Sequence, residues 1–148
     1  MVSSRSQRAD SPRLFGRLLS GTSLARRRTV TPAEFKARTR AFALDVIRFV
    51  RLLPRTLVSV HIARQLLRSG TSQASNYRAA CRARSNAEFI AKMGIVEEEL
   101  DESLCWLDLR VASKEPVSSD NVKRLSADAD ELLAMMVQSI RTARGGSR

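Results

Sequence analysis

Apolar residues recur with the period of an α-helix in four separate segments of residues 31–148. The first segment shows the pattern in Phe35, Phe42, Val46, Phe49 and Leu53, which share one face at helical spacing. A many-stranded β protein needs a turn signal about every 8–12 residues, and the 148 residues contain only 6 Gly and 4 Pro. The sequence therefore predicts an all-α fold.

Capping residues and prolines mark the ends of the four predicted helices. The first helix opens with a capping box at residues 31–34 and is stopped by Pro54; the second runs from Thr56 to about Ala83, with Gly70 as a point for a kink. The third opens with a second capping box at residues 85–88 and ends at residues 114–116. The fourth starts near Ser118 or Ser119 and closes at residues 145–146.

Each of the other three predicted helices also has a stripe of mostly apolar residues along one face, and these faces are able to meet in a common core. The members of these stripes are Val58, Ile62, Leu66, Ser69, Gln73, Asn76 and Ala80 in the second helix, Phe89, Met93, Val96, Leu100, Leu104, Leu107 and Val111 in the third, and Val122, Leu125, Ala129, Leu132, Leu133, Met136, Val137 and Ile140 in the fourth. The small residues of segment 70–76 would let a neighbouring helix approach closely. Short connections then predict an antiparallel up-down-up-down four-helix bundle.

Residues 1–30 differ from the rest of the chain. They carry seven Arg and one acid, Asp10, in a Ser- and Gly-rich background, which predicts a disordered basic tail outside the bundle of residues 31–148. Three interpretations of the tail remain open: sequence upstream of a true start at Val30, a nucleic-acid-binding tail, or a transit peptide. No window has the length of apolar sequence that a membrane span needs.

Arginines dominate the middle of a chain whose net charge is +11. Between Asp45 and Glu88 there are eight Arg and no acid. At about 100° per residue, Arg64, Arg68, Arg78 and Arg82 fall in an arc of about 80° opposite the predicted stripe. With the nearby Arg84, this row predicts a surface that binds phosphates of RNA or DNA. Two alternatives remain: a solvated face, or arginines paired with the acids of the third helix.

Enzymatic, metal-binding and cofactor-binding patterns are not evident. The third helix is rich in acids, but a carboxylate metal site in a bundle usually includes histidine, and the single histidine, His61, lies far away in sequence. The spacing of Arg55 and His61 resembles that of the Arg–His pair in a class of helical ribonucleases. This pattern is very unspecific. Cys81 and Cys105 form no CxxC motif, which favours free thiols in the cytoplasm. We therefore expect a non-enzymatic protein without cofactor or metal.

Ile95 and Trp106 lie eleven residues apart, and therefore on one face of the third helix that is turned away from its main stripe. A large aromatic side chain on an otherwise polar side predicts a subunit interface. The alternative is a tryptophan that lies over the edge of its own bundle under long arginine side chains.

The central block of the sequence contains a specific pattern in the segments 64–72, 76–78, 80–85, 88–92 and 94–98. These segments resemble a bacterial four-helix-bundle family whose founding members are encoded in intervening sequences of 23S ribosomal RNA genes, and the resemblance covers roughly residues 31–144. Family members commonly carry Glu three residues after the asparagine that matches Asn76, where this chain has Ala79.

The resemblance implies a bundle without established enzymatic activity that forms a ring-like homo-oligomer, often a pentamer. A related branch, the accessory variability protein of diversity-generating retroelements, is a basic pentamer that binds a reverse transcriptase and nucleic acid. The expected partners are therefore further copies of the chain, RNA or DNA, and a protein such as a reverse transcriptase. The competing function is a structural or adaptor bundle whose arginines pair with carboxylates of the third helix.

Overall fold

The computed structural model describes residues 30–145, which form four helices and no strand. The helices are α1 (Pro32–Val50), α2 (Leu57–Ala80), α3 (Asn86–Ala112) and α4 (Ser119–Gly145). Consecutive helices pack against each other through short connections at residues 51–56, 81–85 and 113–118, and α4 returns to pack against α1. This arrangement confirms the predicted antiparallel four-helix bundle. Residues 1–29 of the predicted tail lie outside the described residues.

The predicted helix starts are confirmed, and one of the two predicted capping boxes is complete. Thr31 and Glu34 form the reciprocal capping box, in which the N–H of Glu34 donates to the Thr31 hydroxyl at 3.2 Å and the N–H of Thr31 donates to the Glu34 carboxylate at 3.0 Å. Ser85 caps α3 by accepting the N–H of Glu88 at 3.1 Å. The carboxylate of Glu88 accepts the N–H of Arg84 instead of that of Ser85, so this second box is incomplete.

Two helices end earlier than predicted. Helix α1 ends at Val50 instead of continuing to Pro54, and α2 ends at Ala80 instead of near Ala83. In both places the chain continues with tight turns, such as the N–H of Ala83 bonded to the carbonyl of Ala80 at 3.0 Å. Pro54 has no N–H to donate to the carbonyl four residues earlier, which is that of Val50, and its ring clashes with that carbonyl; this explains the early end of α1. Helix α2 runs without interruption through Gly70.

Most of the predicted stripe residues form the core. The fully buried members include Val46, Leu66, Met93, Leu100, Leu107, Leu125 and Met136. Three predicted stripe residues are instead exposed: Val58 (45%), Val111 (52%) and Val137 (42%). Val58 and Val111 lie at the same end of the bundle, where the buried positions belong to Ser59 and Arg110. None of the four helices in the described range has the apolar length that a membrane span requires.

Small and polar residues in the middle of α2 bring the helices close together. A Cβ atom built on Gly70 would lie 2.8 Å from Cγ2 of Val46 in α1. On the other side of α2, the hydroxyls of Ser69 and Ser103 are hydrogen-bonded at 2.9 Å and both side chains are fully buried. The Nε2 of Gln73 donates to the carbonyl of Thr39 at 2.8 Å. These contacts confirm the predicted close approach.

A buried arginine ties three segments together at the end of the bundle where α2 begins. Arg110 is completely buried and donates to the Ser113 hydroxyl at 2.9 Å and to the carbonyl of Pro116 at 2.7 Å. Its Nη1 lies 3.5 Å from the Glu115 carboxylate. That carboxylate also accepts the hydroxyls of Ser59 and Thr56 at the start of α2. Hydrogen bonds from these hydroxyls hold the pKa of Glu115 below its usual range, so it stays charged beside Arg110.

Lys114 follows the last turn of α3 and has a φ of 57°. Among residues 30–145, it is the one non-glycine residue with a positive φ. Glycine is the favoured residue at a left-handed position after a helix, because a residue with a Cβ atom is strained in this conformation. We expect Lys114→Gly to stabilise the bundle by about 0.5–1 kcal/mol in urea unfolding. Lys114→Ala keeps the strained Cβ and is expected to give no such gain; an equal gain in both variants would contradict the explanation.

Candidate nucleic-acid interface

The five predicted phosphate-binding arginines all lie on the surface. Arg64, Arg68 and Arg78 project from α2, and Arg82 and Arg84 lie in the connection 81–85. The opposite side of α2 is buried through Ile62, Leu66, Ser69, Gln73 and Ala80. Arg64, Arg68 and Arg78 therefore face outward, as the helical spacing predicts, whereas Arg82 is exposed in the connection because α2 ends at Ala80.

The middle of this row is neutralised by α3. Nη1 of Arg68 lies 3.5 Å from Glu99, and Nη2 is hydrogen-bonded to Glu102. Hydrogen bonds from Arg68 and then from the indole N–H of Trp106 lower the pKa of Glu102 below its usual value, so its carboxylate is charged near neutral pH. The sequence left open whether the arginines of the row pair with acids of the third helix. Arg68 does so.

The other four arginines of the row have no ion-pair partner among residues 30–145. Arg64, Arg78, Arg82 and Arg84 are exposed, and no ion pair within that range involves their guanidinium groups. The nearby Glu88 carboxylate accepts the backbone N–H of Arg84 and pairs with Lys92. Because a helix rises about 1.5 Å per residue, Arg64 and Arg78 lie about 21 Å apart along α2. The row is therefore two separate cationic patches.

The bundle adds further arginines to the patch at the end of α2. The Nδ2 of Asn86 donates to the carbonyl of Ala143 at 2.7 Å, which places the end of α4 beside the start of α3. The exposed Arg141 and Arg144 of α4 consequently lie at the same end of the bundle as the arginines of connection 81–85. We call this surface the basic end, with the members Arg78, Arg82, Arg84, Arg141 and Arg144.

Arg141 and Arg144 are not part of the row that the sequence predicts. They are more than 50 residues from Arg84 in the chain, so spacing alone does not bring them together. The antiparallel topology provides the missing signal, because α2 and α4 run in the same direction and end on the same side.

At the opposite end, a cleft of about 330 Å³ opens between α1 and α2. Three arginines line it, Arg51, Arg55 and Arg64, together with apolar residues that include Leu53, Val60 and Leu67. His61 is not part of this lining; its ring packs edge-on against Trp106 of α3, with centroids 5.6 Å apart. Arg55 thus lines the cleft, whereas the ring of His61 contacts α3.

The two predicted interface residues differ in their surroundings. Ile95 is 42% exposed. Trp106 is half-buried and packs against the core, and its indole N–H donates to Glu102 at 3.0 Å. Trp106 therefore has contacts within its own subunit, and its place at a subunit interface stays a prediction, as does that of Ile95. Among residues 30–145, no group of three or more His, Cys, Asp or Glu is placed to hold a metal ion.

Comparison with known proteins relates the whole bundle to one family. The family model described as 23S rRNA-intervening sequence protein matches residues 33–138. A crystal structure from Bacteroides thetaiotaomicron VPI-5482, of a protein with unknown function from the S23 ribosomal protein family, is similar with a TM-score of 0.66 and 26% identity over 74% of this chain and 97% of the other. No protein of curated function matches. The family match spans all four helices, and the chain therefore belongs to the 23S rRNA-intervening sequence protein family.

Proposed function

We propose that the protein is a non-enzymatic, self-associating bundle that binds RNA or DNA through the basic end. The observation that carries this proposal is the convergence of Arg78, Arg82 and Arg84 with Arg141 and Arg144, all exposed and without an ion-pair partner among residues 30–145. Guanidinium groups donate two parallel hydrogen bonds to one phosphate, which suits a nucleic-acid backbone.

Contacts of this kind position a polyanion without reading its sequence. The members of the basic end are exposed arginines, and contacts of guanidinium groups with phosphates fix the position of the polyanion but carry no sequence information. Residues 1–29 add seven Arg and one acid to the same chain and increase its long-range attraction for polyanions. The proposed binding is therefore strongly dependent on salt and weakly dependent on nucleic-acid sequence.

The proposal predicts a specific loss in Arg82→Glu/Arg84→Glu. Each phosphate contact contributes about one unit to the slope of log affinity against log salt, so the slope should fall by about 2. Affinity for a fluorescent single-stranded RNA should fall at least about tenfold near 100 mM salt. Fluorescence anisotropy from about 50 to 200 mM salt measures both quantities.

Lys114→Glu/Lys123→Glu is the matched control, because it changes the net charge equally at exposed positions near the other end of the bundle. It should bind almost as well as the unaltered protein. Equal losses in the two variants would show that only total charge matters, and unchanged binding in Arg82→Glu/Arg84→Glu would remove the basic end from the function.

The competing function is an adaptor bundle that binds a protein partner such as a reverse transcriptase. The pairing of Arg68 with Glu99 and Glu102 favours this function for the middle of α2, because it leaves little free charge there. An adaptor without phosphate contacts would show no binding to RNA or DNA even at about 50 mM salt, whereas the primary proposal requires binding there.

We also propose that the protein forms a homo-oligomer, with five copies as the expected number and Ile95 at the contact. The exposed aliphatic side chain of Ile95 supports a contact on the outer face of α3. Light scattering should give a mass of about five times the 16.5 kDa of one chain. A mass of one chain at micromolar concentration would contradict self-association.

A further inference from the structure

The outer face of α3 combines carboxylates with aliphatic side chains. Ile95, Glu98, Asp101, Cys105 and Leu109 lie within an arc of about 120° on this helix, and all five are exposed. Ile95 and Leu109 are 42% and 43% exposed, although both are large apolar residues. We call these five residues the acidic stripe. It faces away from the core residues Val96, Leu100 and Leu107 of the same helix.

The cleft between α1 and α2 has the opposite charge and a similar apolar component. Its arginines, Arg51, Arg55 and Arg64, have no ion-pair partner among residues 30–145, and its lining contains no carboxylate. Close to these arginines in sequence, Leu52 of the connection 51–56 and Leu57, the first residue of α2, are 71% and 89% exposed. Three unpaired guanidinium groups beside exposed leucines would be covered well by a surface that offers carboxylates and aliphatic side chains.

The chemistry of the cleft restricts what can occupy it. No aromatic side chain lines it, so it offers a nucleic-acid base no aromatic platform to stack on. Residues 1–29 of the chain carry seven Arg and one acid and would be repelled. The acidic stripe has the required composition, but it faces outward on α3 while the cleft opens between α1 and α2. A stripe that enters the cleft must therefore come from another copy.

We propose that the acidic stripe of one copy docks in the arginine cleft of the next copy. This inference rests on the proposed self-association and identifies its two surfaces. Because stripe and cleft are different surfaces, the contact is head-to-tail, and copies close into a ring if the rotation between them permits. Arg64 then belongs to the subunit contact. The basic end, which begins about 21 Å away along α2, remains open to phosphates.

Charge reversal on either side tests the contact. Arg51→Glu/Arg55→Glu places acids opposite acids, and Glu98→Lys/Asp101→Lys places bases opposite bases. Each variant should have the mass of a single chain at a concentration at which the unaltered protein is oligomeric. The variant that combines all four substitutions has complementary charges again and should regain the oligomeric mass. Light scattering measures the mass, and circular dichroism checks that every variant remains helical.

The matched control for the cleft is Lys36→Glu/Arg40→Glu, which makes the same change of charge at exposed positions of α1 outside the cleft. It should keep the oligomeric mass. Cys105 provides a second measurement, because it lies in the stripe while Cys81 does not, and both are exposed in the single chain. Alkylation of Cys105 should be at least about tenfold slower than that of Cys81 in the oligomer, and Arg51→Glu/Arg55→Glu should remove the difference.

The outcomes separate this inference from the proposals on which it rests. A single-chain mass for the unaltered protein would overturn self-association itself. An oligomeric mass that persists in Arg51→Glu/Arg55→Glu would overturn only the docking in the cleft. Monomeric double variants whose combination stays monomeric would show that stripe and cleft do not meet. Binding of RNA at the basic end is measured separately and is expected to persist in the cleft variant.

Discussion

Arg110→Ala is expected to destabilise the bundle by about 3–5 kcal/mol, because it removes one member of a buried charged network. Arg110 is completely buried, and its loss leaves the carbonyl of Pro116 and the Ser113 hydroxyl without their donor. It also leaves the Glu115 carboxylate without its cation. Urea unfolding followed by circular dichroism should show the loss as a lower midpoint.

Arg141→Ala is the control for the loss of an arginine from a helix. Arg141 is exposed and has no ion-pair partner in the described part of the chain, so the expected change is within about 0.5 kcal/mol. Arg110→Met restores much of the volume without the hydrogen bonds and separates packing from polar contacts. Equal stability of Arg110→Ala and Arg141→Ala would show that the network between α2 and α3 does not stabilise the fold.

Gly70→Ala is expected to destabilise the bundle by about 1–2 kcal/mol, although alanine is the better helix former. The added Cβ atom would lie 2.8 Å and 2.9 Å from the two γ-carbons of Val46 and 3.2 Å from its Cβ. A valine in a helix has one strongly preferred rotamer and cannot turn away. Helices α1 and α2 must therefore move apart, and this cost of overpacking exceeds the gain of about 1 kcal/mol in helix propensity.

Gly94→Ala is the matched control, because Gly94 also lies inside a helix but a Cβ there meets no atom within 4 Å. This variant should be more stable than the unaltered protein by up to about 1 kcal/mol. The two alanine substitutions are thus expected to have opposite signs in thermal or urea unfolding. In a double-mutant cycle, Gly70→Ala should cost less in a Val46→Ala background. An equal gain from both substitutions would contradict the close packing of α1 and α2.

Helix number, helix order and most of the core were predictable from local patterns. The capping box at Thr31 and Glu34 and the cap at Ser85 mark helix starts because their hydrogen bonds involve residues only three positions apart. The phenylalanines of the first helix were correctly assigned to the core, since a helical period places Phe35, Phe42 and Phe49 on one face. Helix ends were less predictable, because tight turns continue the chain after Val50 and Ala80.

Long-range electrostatic contacts were not predictable in the same way. Helical spacing placed Arg68 and Arg78 on one outward face, yet Arg68 is neutralised by Glu99 and Glu102 whereas Arg78 is free of ion pairs among residues 30–145. Arg110 was assigned no role, although it is fully buried. The partners of both arginines depend on which turn of one helix lies opposite which turn of another, and helical period carries no information on that alignment.

Local physical chemistry thus accounts for four amphipathic helices and for an outward row of arginines, because capping, periodicity and side-chain volume act over a few residues. The register of α2 against α3 and the meeting of α2 with α4 arise only when the helices pack. That packing pairs Arg68 with carboxylates, and it gathers Arg141 and Arg144 beside Arg84. Charges more than 30 residues apart interact through distances that the assembled core sets, and those distances determine which guanidinium groups remain available to a phosphate.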